Sequence, residues 1–169
     1  AWLLKLQLIL QVFLLVILGA GHFWLAHRFE HQVVSAAEGR ARAVADMSIN
    51  TLNTMMITKV GSEEMIGDQK ARALLIRKMG EAEQIKETRI FRARSMDKEY
   101  PLGLPQEYPV DELDRAVLAS GKAEVKMLQT AGGTTAMRVV MPFLNAKDNR
   151  GTNCTQCHGE DAGAVLGAA

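Results

Sequence analysis

An α+β fold behind an N-terminal membrane helix is predicted by three features: an uncharged apolar stretch at the start of the chain, a helical period that continues beyond it without proline, and strand-length runs set off by glycine and proline in the second half. The 169 residues allow at most one compact domain plus an appendage. With 20 Lys and Arg against 19 Asp and Glu, the chain carries no electrostatic footprint for nucleic acid, so no nucleic-acid partner is expected. Two cysteines cannot staple a small secreted scaffold, and 5% aromatic residues argue against an aromatic platform for sugars or single strands.

From Leu6 to Ala26 the only ionisable side chain is His22, and roughly 20 apolar residues rising ~1.5 Å each match a hydrocarbon core of ~30 Å. The stretch is longer than the apolar part of a cleaved signal, so an uncleaved anchor over residues 1–27 is expected, with Phe23 and Trp24 as interfacial anchors. Residues 28–61 form the stalk. They contain no proline, and Val34, Ala37, Ala41, Val44, Ser48, Thr51 and Met55 step by threes and fours, which predicts one helix running out of the membrane and ending at Gly61. Such a stripe needs a partner: a second helix, a second chain or a cofactor-bearing domain.

The domain proper is expected over residues 62–169. A helix from Asp68 to Met79 is predicted, with Asp68 as its cap, Gly80 as its stop, and Ala71, Leu74, Leu75 and Met79 as its buried face. Residues 85–95 read as a strand, and a Pro/Gly-rich loop follows. Asp111 caps a short helix carrying Leu113, Val117 and Leu118, closed by Gly121. Two further runs, KAEVKMLQT and TTAMRVVMP, are joined by Ala131, Gly132 and Gly133 as a hairpin, with Pro142 ending the second strand. The tail AVLGAA is a last short strand candidate.

Residues 154–158 read Cys-Thr-Gln-Cys-His, the spacing of covalent c-type haem attachment. Cys154 and Cys157 can each add to one porphyrin vinyl group, and His158 is then held beneath the iron as proximal ligand. A structural zinc site lacks ligands, because there is no further cysteine and the remaining histidines, His22, His27 and His31, lie far upstream. A thioredoxin-like dithiol lacks its βαβ setting. One covalent haem c is therefore expected. Since such attachment takes place outside the bacterial cytoplasm, the anchor is expected to be a single pass of the inner membrane with the haem domain in the periplasm.

Bis-histidine ligation would force the haem against the bilayer, so methionine is the expected sixth ligand. Met55 and Met56 are the candidates, since adjacent positions on one helix face different ways; Met47, Met65, Met79, Met127, Met137 and Met141 read as gap-filling core residues. The haem propionates call for cations, for which Arg89, Arg92 and Arg94 on the first strand and Arg138 on the hairpin are candidates.

The ordered set of anchor, Thr-Met-Met-Ile-Thr (54–58), Arg-Ile-Phe-Arg (89–92), Val-Leu-Ala-Ser-Gly (117–121), Met-Pro-Phe-Leu-Asn (141–145), Asn-Cys-Thr-Gln-Cys-His-Gly (153–159) and Val-Leu-Gly-Ala (165–168) resembles the periplasmic haem-binding domain found at the N-termini of bacterial chemotaxis receptors and histidine kinases, and as free-standing membrane-anchored proteins. The resemblance implies a PAS-like fold with a small antiparallel sheet and one c-type haem, often dimeric through the N-terminal helices. It implies thioether roles for Cys154 and Cys157, proximal ligation by His158, and a distal role for Met56 on its own or a partner protomer's haem. Lys59 stands where relatives commonly carry glycine, which favours continuation of the helix there.

Two functions compete. A sensing input module for redox state or a small ligand predicts an output region beyond residue 169 or a signalling partner. A single-haem electron carrier or accessory subunit of a respiratory or photosynthetic membrane complex predicts a chain ending there. No acid–base constellation accompanies the motif, so no enzyme is expected.

Overall fold

The structure, a computed structural model, describes all residues except 1, 84, 131 and 160. It is α+β, with a long apolar N-terminal helix and small antiparallel sheets. The chain divides into two units, residues 1–39 and 40–169.

Helix α1 spans Trp2–Ile57. Within the first unit its apolar side chains are exposed from Trp2 through Leu18 and again at Phe23, Trp24 and Leu25, so that this stretch is long and apolar enough to cross a membrane. In the second unit the buried face of α1 is Ala45, Ser48, Ile49, Leu52, Asn53 and Met55. Ser48 and Met55 belong to the stripe expected from sequence, but the face is rotated toward Ile49 and Leu52, the larger apolar residues.

The helix ends four residues earlier than Gly61. Thr58 N–H still reaches Thr54 C=O at 3.0 Å, after which β1 (Lys59–Val60) turns back through Gly61 into β2 (Glu63–Glu64). Gly61 has φ 69°, a left-handed value suited to glycine, so it serves the turn of this hairpin and not the helix end. Lys59 accordingly starts a strand instead of prolonging the helix.

Helix α2 (Gln69–Gly80) is capped as expected, the Asp68 carboxylate accepting from the N–H groups of Lys70 and Ala71. Its apolar face is less enclosed than its pattern suggests: no α2 residue is fully buried and Leu74 is exposed. Most of residues 85–95 forms no ladder. Only β3 (Phe91–Arg92) pairs, and the following turn at Arg94–Lys98 is 3-10. Helix α3 (Glu112–Ser120) starts on Asp111, which accepts from Asp114 N–H at 3.0 Å, and stops at Gly121 with φ 64°.

Strands β4 (Glu124–Gln129) and β5 (Thr135–Val140) form the expected hairpin, closed by Gly133 N–H on Thr130 C=O; of its three turn residues, Ala131 lies outside the described ones. Pro142 opens a strand instead of ending one: β6 (Pro142–Leu144) begins there, since a missing N–H is harmless at a first strand position. Strand β7 (Val165–Ala168) runs antiparallel between β3 and β6. Met141 links β5 to β6 and exchanges both backbone hydrogen bonds with Ala169, at 2.8 and 3.0 Å. The single small sheet expected is thus divided into a three-stranded piece and two hairpins.

Two apolar clusters flank this framework. One joins Phe91, Val117, Val140 and Ala168, and the other Ile49, Met96, Phe143, Cys154 and Leu166.

Candidate functional site

Cys154 belongs to the second cluster, and its environment is built by a loop folded between β6 and β7. Cys154 N–H donates to Ala146 C=O at 2.9 Å, and Asn145, itself fully buried, pairs through its backbone with Ala164 and Gly163. Two ties run from this loop to α1: Asn53 Nδ2 donates to Asn149 C=O at 2.9 Å, and Arg150 pairs with Asp46. Arg150 itself has φ 57°, a strained value for a non-glycine residue, beside Gly151 at φ 82°.

Residues Cys154–Gln156 form one 3-10 turn capped by Asn153, whose side chain accepts from Thr155 N–H at 3.2 Å. Cys157 N–H and His158 N–H both donate to Cys154 C=O, at 3.1 and 3.0 Å. The two thiols are free and differ sharply: Cys154 is buried and Cys157 is exposed. Thr155 and Gln156 thus span one turn, and His158 follows immediately on the same carbonyl.

His158 is half-buried. Its Nδ1 is fully enclosed and has no hydrogen-bond partner among the described residues. Burial holds the imidazole below its usual pKa, with a smaller opposing pull from Glu99. Tyr100 packs on the ring, centroids 5.4 Å apart and tilted by 59°, and its hydroxyl donates to Cys157 C=O at 2.5 Å. Burial, then the charge of Glu99, raises the phenol's pKa, keeping it a donor at neutral pH. Glu99 accepts from Gly159 N–H at 3.2 Å, so residues 99 and 100 clamp the segment from outside.

Met56 is partly buried and packs against the cluster that contains Cys154; Met55 is buried but lies outside that cluster. Met96 and Met141 also surround it. Met141 reads from sequence as a core filler; no sequence pattern singles out Met96, which lies just after the backbone bond from Ala93 N–H to Leu166 C=O, a contact between distant segments. Tyr100 and Glu99 were likewise hidden in a loop.

Of the candidate cationic partners, Arg89 and Arg138 are held by carboxylates. Arg89 donates to Asp114 at 2.9 Å and to Tyr108 C=O at 3.1 Å, and Arg138 binds both Asp114 and Asp111. Arg92 donates to Pro101 C=O at 2.8 Å and lies 3.3 Å from Asp97, while its Nε and Nη2 are buried with no hydrogen-bond partner among the described residues. Arg94 sits over the ring of Tyr108, 5.1 Å from its centroid. For Arg89 and Arg138 the reason is the complete burial of Asp114, whose charge requires counter-ions of its own. Hydrogen bonding to Arg138 and to Asp114 N–H keeps the Asp111 carboxyl below the usual range.

No protein-family model, curated protein or solved structure matches the chain significantly. Among the described residues, no three His, Cys, Asp or Glu side chains are grouped to hold a metal ion by themselves. Two thiols one turn apart, one imidazole, and thioethers against an apolar wall fit covalent haem as a donor set better than they fit zinc.

Proposed function

We propose that this chain is a membrane-anchored, periplasmic single-haem c-type domain of PAS-like kind that senses redox state or a small ligand. The observation that carries the reading is the Cys-Thr-Gln-Cys-His turn beside an apolar cluster, with the half-buried His158 next in chain and the Met56 and Met141 side chains packed on the same cluster.

In this reading each cysteine thiol adds its hydrogen and sulfur across one vinyl group, so no oxidant is required. Cys154 and Cys157 fix the porphyrin, and His158 serves as the proximal ligand. Bound there, haem would supply one-electron chemistry and the capacity to bind a weak ligand. Tyr100 and Glu99 hold the segment's backbone, while Met56 offers the distal thioether. Met56 stands in the last turn of α1, so a change in its ligation bears on the helix that carries the apolar stretch. A homodimer through the N-terminal helices suits this role.

Electron transfer is the second reading, favoured by the exposure of Cys157, which would bring a porphyrin edge to the surface. Here the chain serves as a subunit of a larger membrane complex.

The roles separate in hydrogen exchange on the haem-loaded full chain in nanodiscs. Sensing predicts that reduction alters exchange over residues 45–57, and that Met56→Leu both abolishes this difference and changes the haem spectrum, whereas Met55→Leu leaves the spectrum intact. Equal exchange in both redox states supports the electron carrier instead.

A further inference from the structure

We propose that His27 and His31 form a two-histidine chelate for a divalent late transition-metal ion, with Cu²⁺ as the tightest-binding case. The two residues are spaced i, i+4 on α1, at the end of the apolar run, and both are exposed. Their Nε2 atoms are 3.2 Å apart. Two metal–nitrogen bonds of ~2.0–2.1 Å separate their nitrogens by about 2.9 Å at the right angle of a tetragonal Cu²⁺ site and by about 3.3 Å at a tetrahedral angle, so a shift of a few tenths of an ångström brings the pair to chelating distance for Cu²⁺.

The centroids are 4.6 Å apart with planes at 85°, so the imidazoles meet at an angle instead of end to end. Phe23, one turn earlier, lies parallel to His27 with centroids 6.5 Å apart and planes within 3°, buttressing that ring.

Neutral imidazoles also pair by a simple N–H···N hydrogen bond, which accounts for the distance with no ion present. What distinguishes the pair from an incidental contact is its setting. Both rings face outward on a rigid helix, so an ion reaches them without opening the fold. No third His, Cys, Asp or Glu among the described residues completes the site. Water, or the same pair on a second copy of the chain, supplies the remaining positions. This site is independent of the haem reading, since it lies in the first unit and uses none of residues 154–158.

The test is a titration with CuCl₂ alone of the full chain in detergent micelles, with Cys154 and Cys157 replaced by alanine so that no free thiol binds or reduces the ion, read by electron paramagnetic resonance and calorimetry. The proposal predicts stoichiometric Cu²⁺ with at least two equatorial imidazole nitrogens; four nitrogens and one ion per two chains would equally bear it out. His27→Ala and His31→Ala are each expected to weaken binding at least about tenfold and remove one nitrogen per chain from the signal. His22→Ala, off this helix face, should change neither. Both residues are exposed, so the variants are expected to keep the wild-type circular dichroism. Unchanged affinity in either His27→Ala or His31→Ala, or a wild-type signal with a single nitrogen, overturns the proposal and leaves the hydrogen bond as the pair's whole role.

Discussion

The hydroxyl of Tyr100 donates to the carbonyl of Cys157 across 2.5 Å, joining positions 57 residues apart in sequence. It is the shortest path by which the loop after β3 holds the cysteine segment. Tyr100→Phe is expected to lower stability by about 1 kcal/mol, the net value of one hydrogen bond, and to raise proteolytic cleavage around residues 157–159. Urea unfolding and limited proteolysis check this; an unchanged midpoint would show that the bond is made but contributes nothing.

Asp114 is the electrostatic centre of the C-terminal unit. Its carboxylate takes Arg89, Arg138 and Val110 N–H while having no exposed surface. Asp114→Ala removes the buried carboxylate that Arg89 and Arg138 share and is expected to cost about 3–5 kcal/mol, and Asp114→Asn less, since the amide oxygen still accepts. Denaturant midpoints measure both. A loss under about 1 kcal/mol for the alanine variant would mean that water replaces the carboxylate freely.

Gly167 sits in the central strand β7, where an added Cβ would lie 2.6 Å from Phe91 C=O. Gly167→Ala must push β3 and β7 apart, and an expected cost of about 2–3 kcal/mol follows. Gly39, in helix α1 with nothing within 4 Å of an added Cβ, is expected to respond oppositely, Gly39→Ala stabilising by up to ~1 kcal/mol. Thermal melts of the two variants should move in opposite directions.

Glu107 sets a pH dependence. Burial pushes its carboxyl up, but hydrogen bonds from Arg72 and Leu104 N–H, with the charges of Arg72 and Arg92, outweigh it and leave the pKa below the ordinary 4.5. A depressed carboxyl stabilises the folded state fully above its unfolded pKa, and that contribution is lost as pH falls through the folded value. Glu107→Gln should therefore be less stable than wild type at about pH 7, with the gap narrowing below about pH 4. Stability curves against pH check the sign; a gap that widens on acidification would contradict it.

Where structure is decided locally, the sequence was a good guide. Asp68, Asp111 and Gly121 terminate helices because each acts through atoms within four residues, and the β4–β5 hairpin follows from its glycines. Misreadings arose where distant segments decide. Residues 85–95 look strand-like throughout, yet only Phe91 and Arg92 find ladder partners in β7. Pro142 and Gly61 looked like terminators and instead begin a strand and turn a hairpin. At the candidate site the motif itself was legible, and of the two candidate methionines Met56 packs against the cluster that contains Cys154. Tyr100, Glu99 and Met96 were not, because they reach Cys154–His158 only through tertiary packing.

Covalent attachment of haem to Cys154 and Cys157 is tested most directly by the intact mass of the denatured chain after expression with a cytochrome-maturation apparatus, together with haem peroxidase staining on a denaturing gel. The account predicts a mass increase of one haem and a stained band in the wild type, both lost when Cys154 and Cys157 are replaced together by alanine. An unmodified, unstained wild-type chain under those conditions would contradict it.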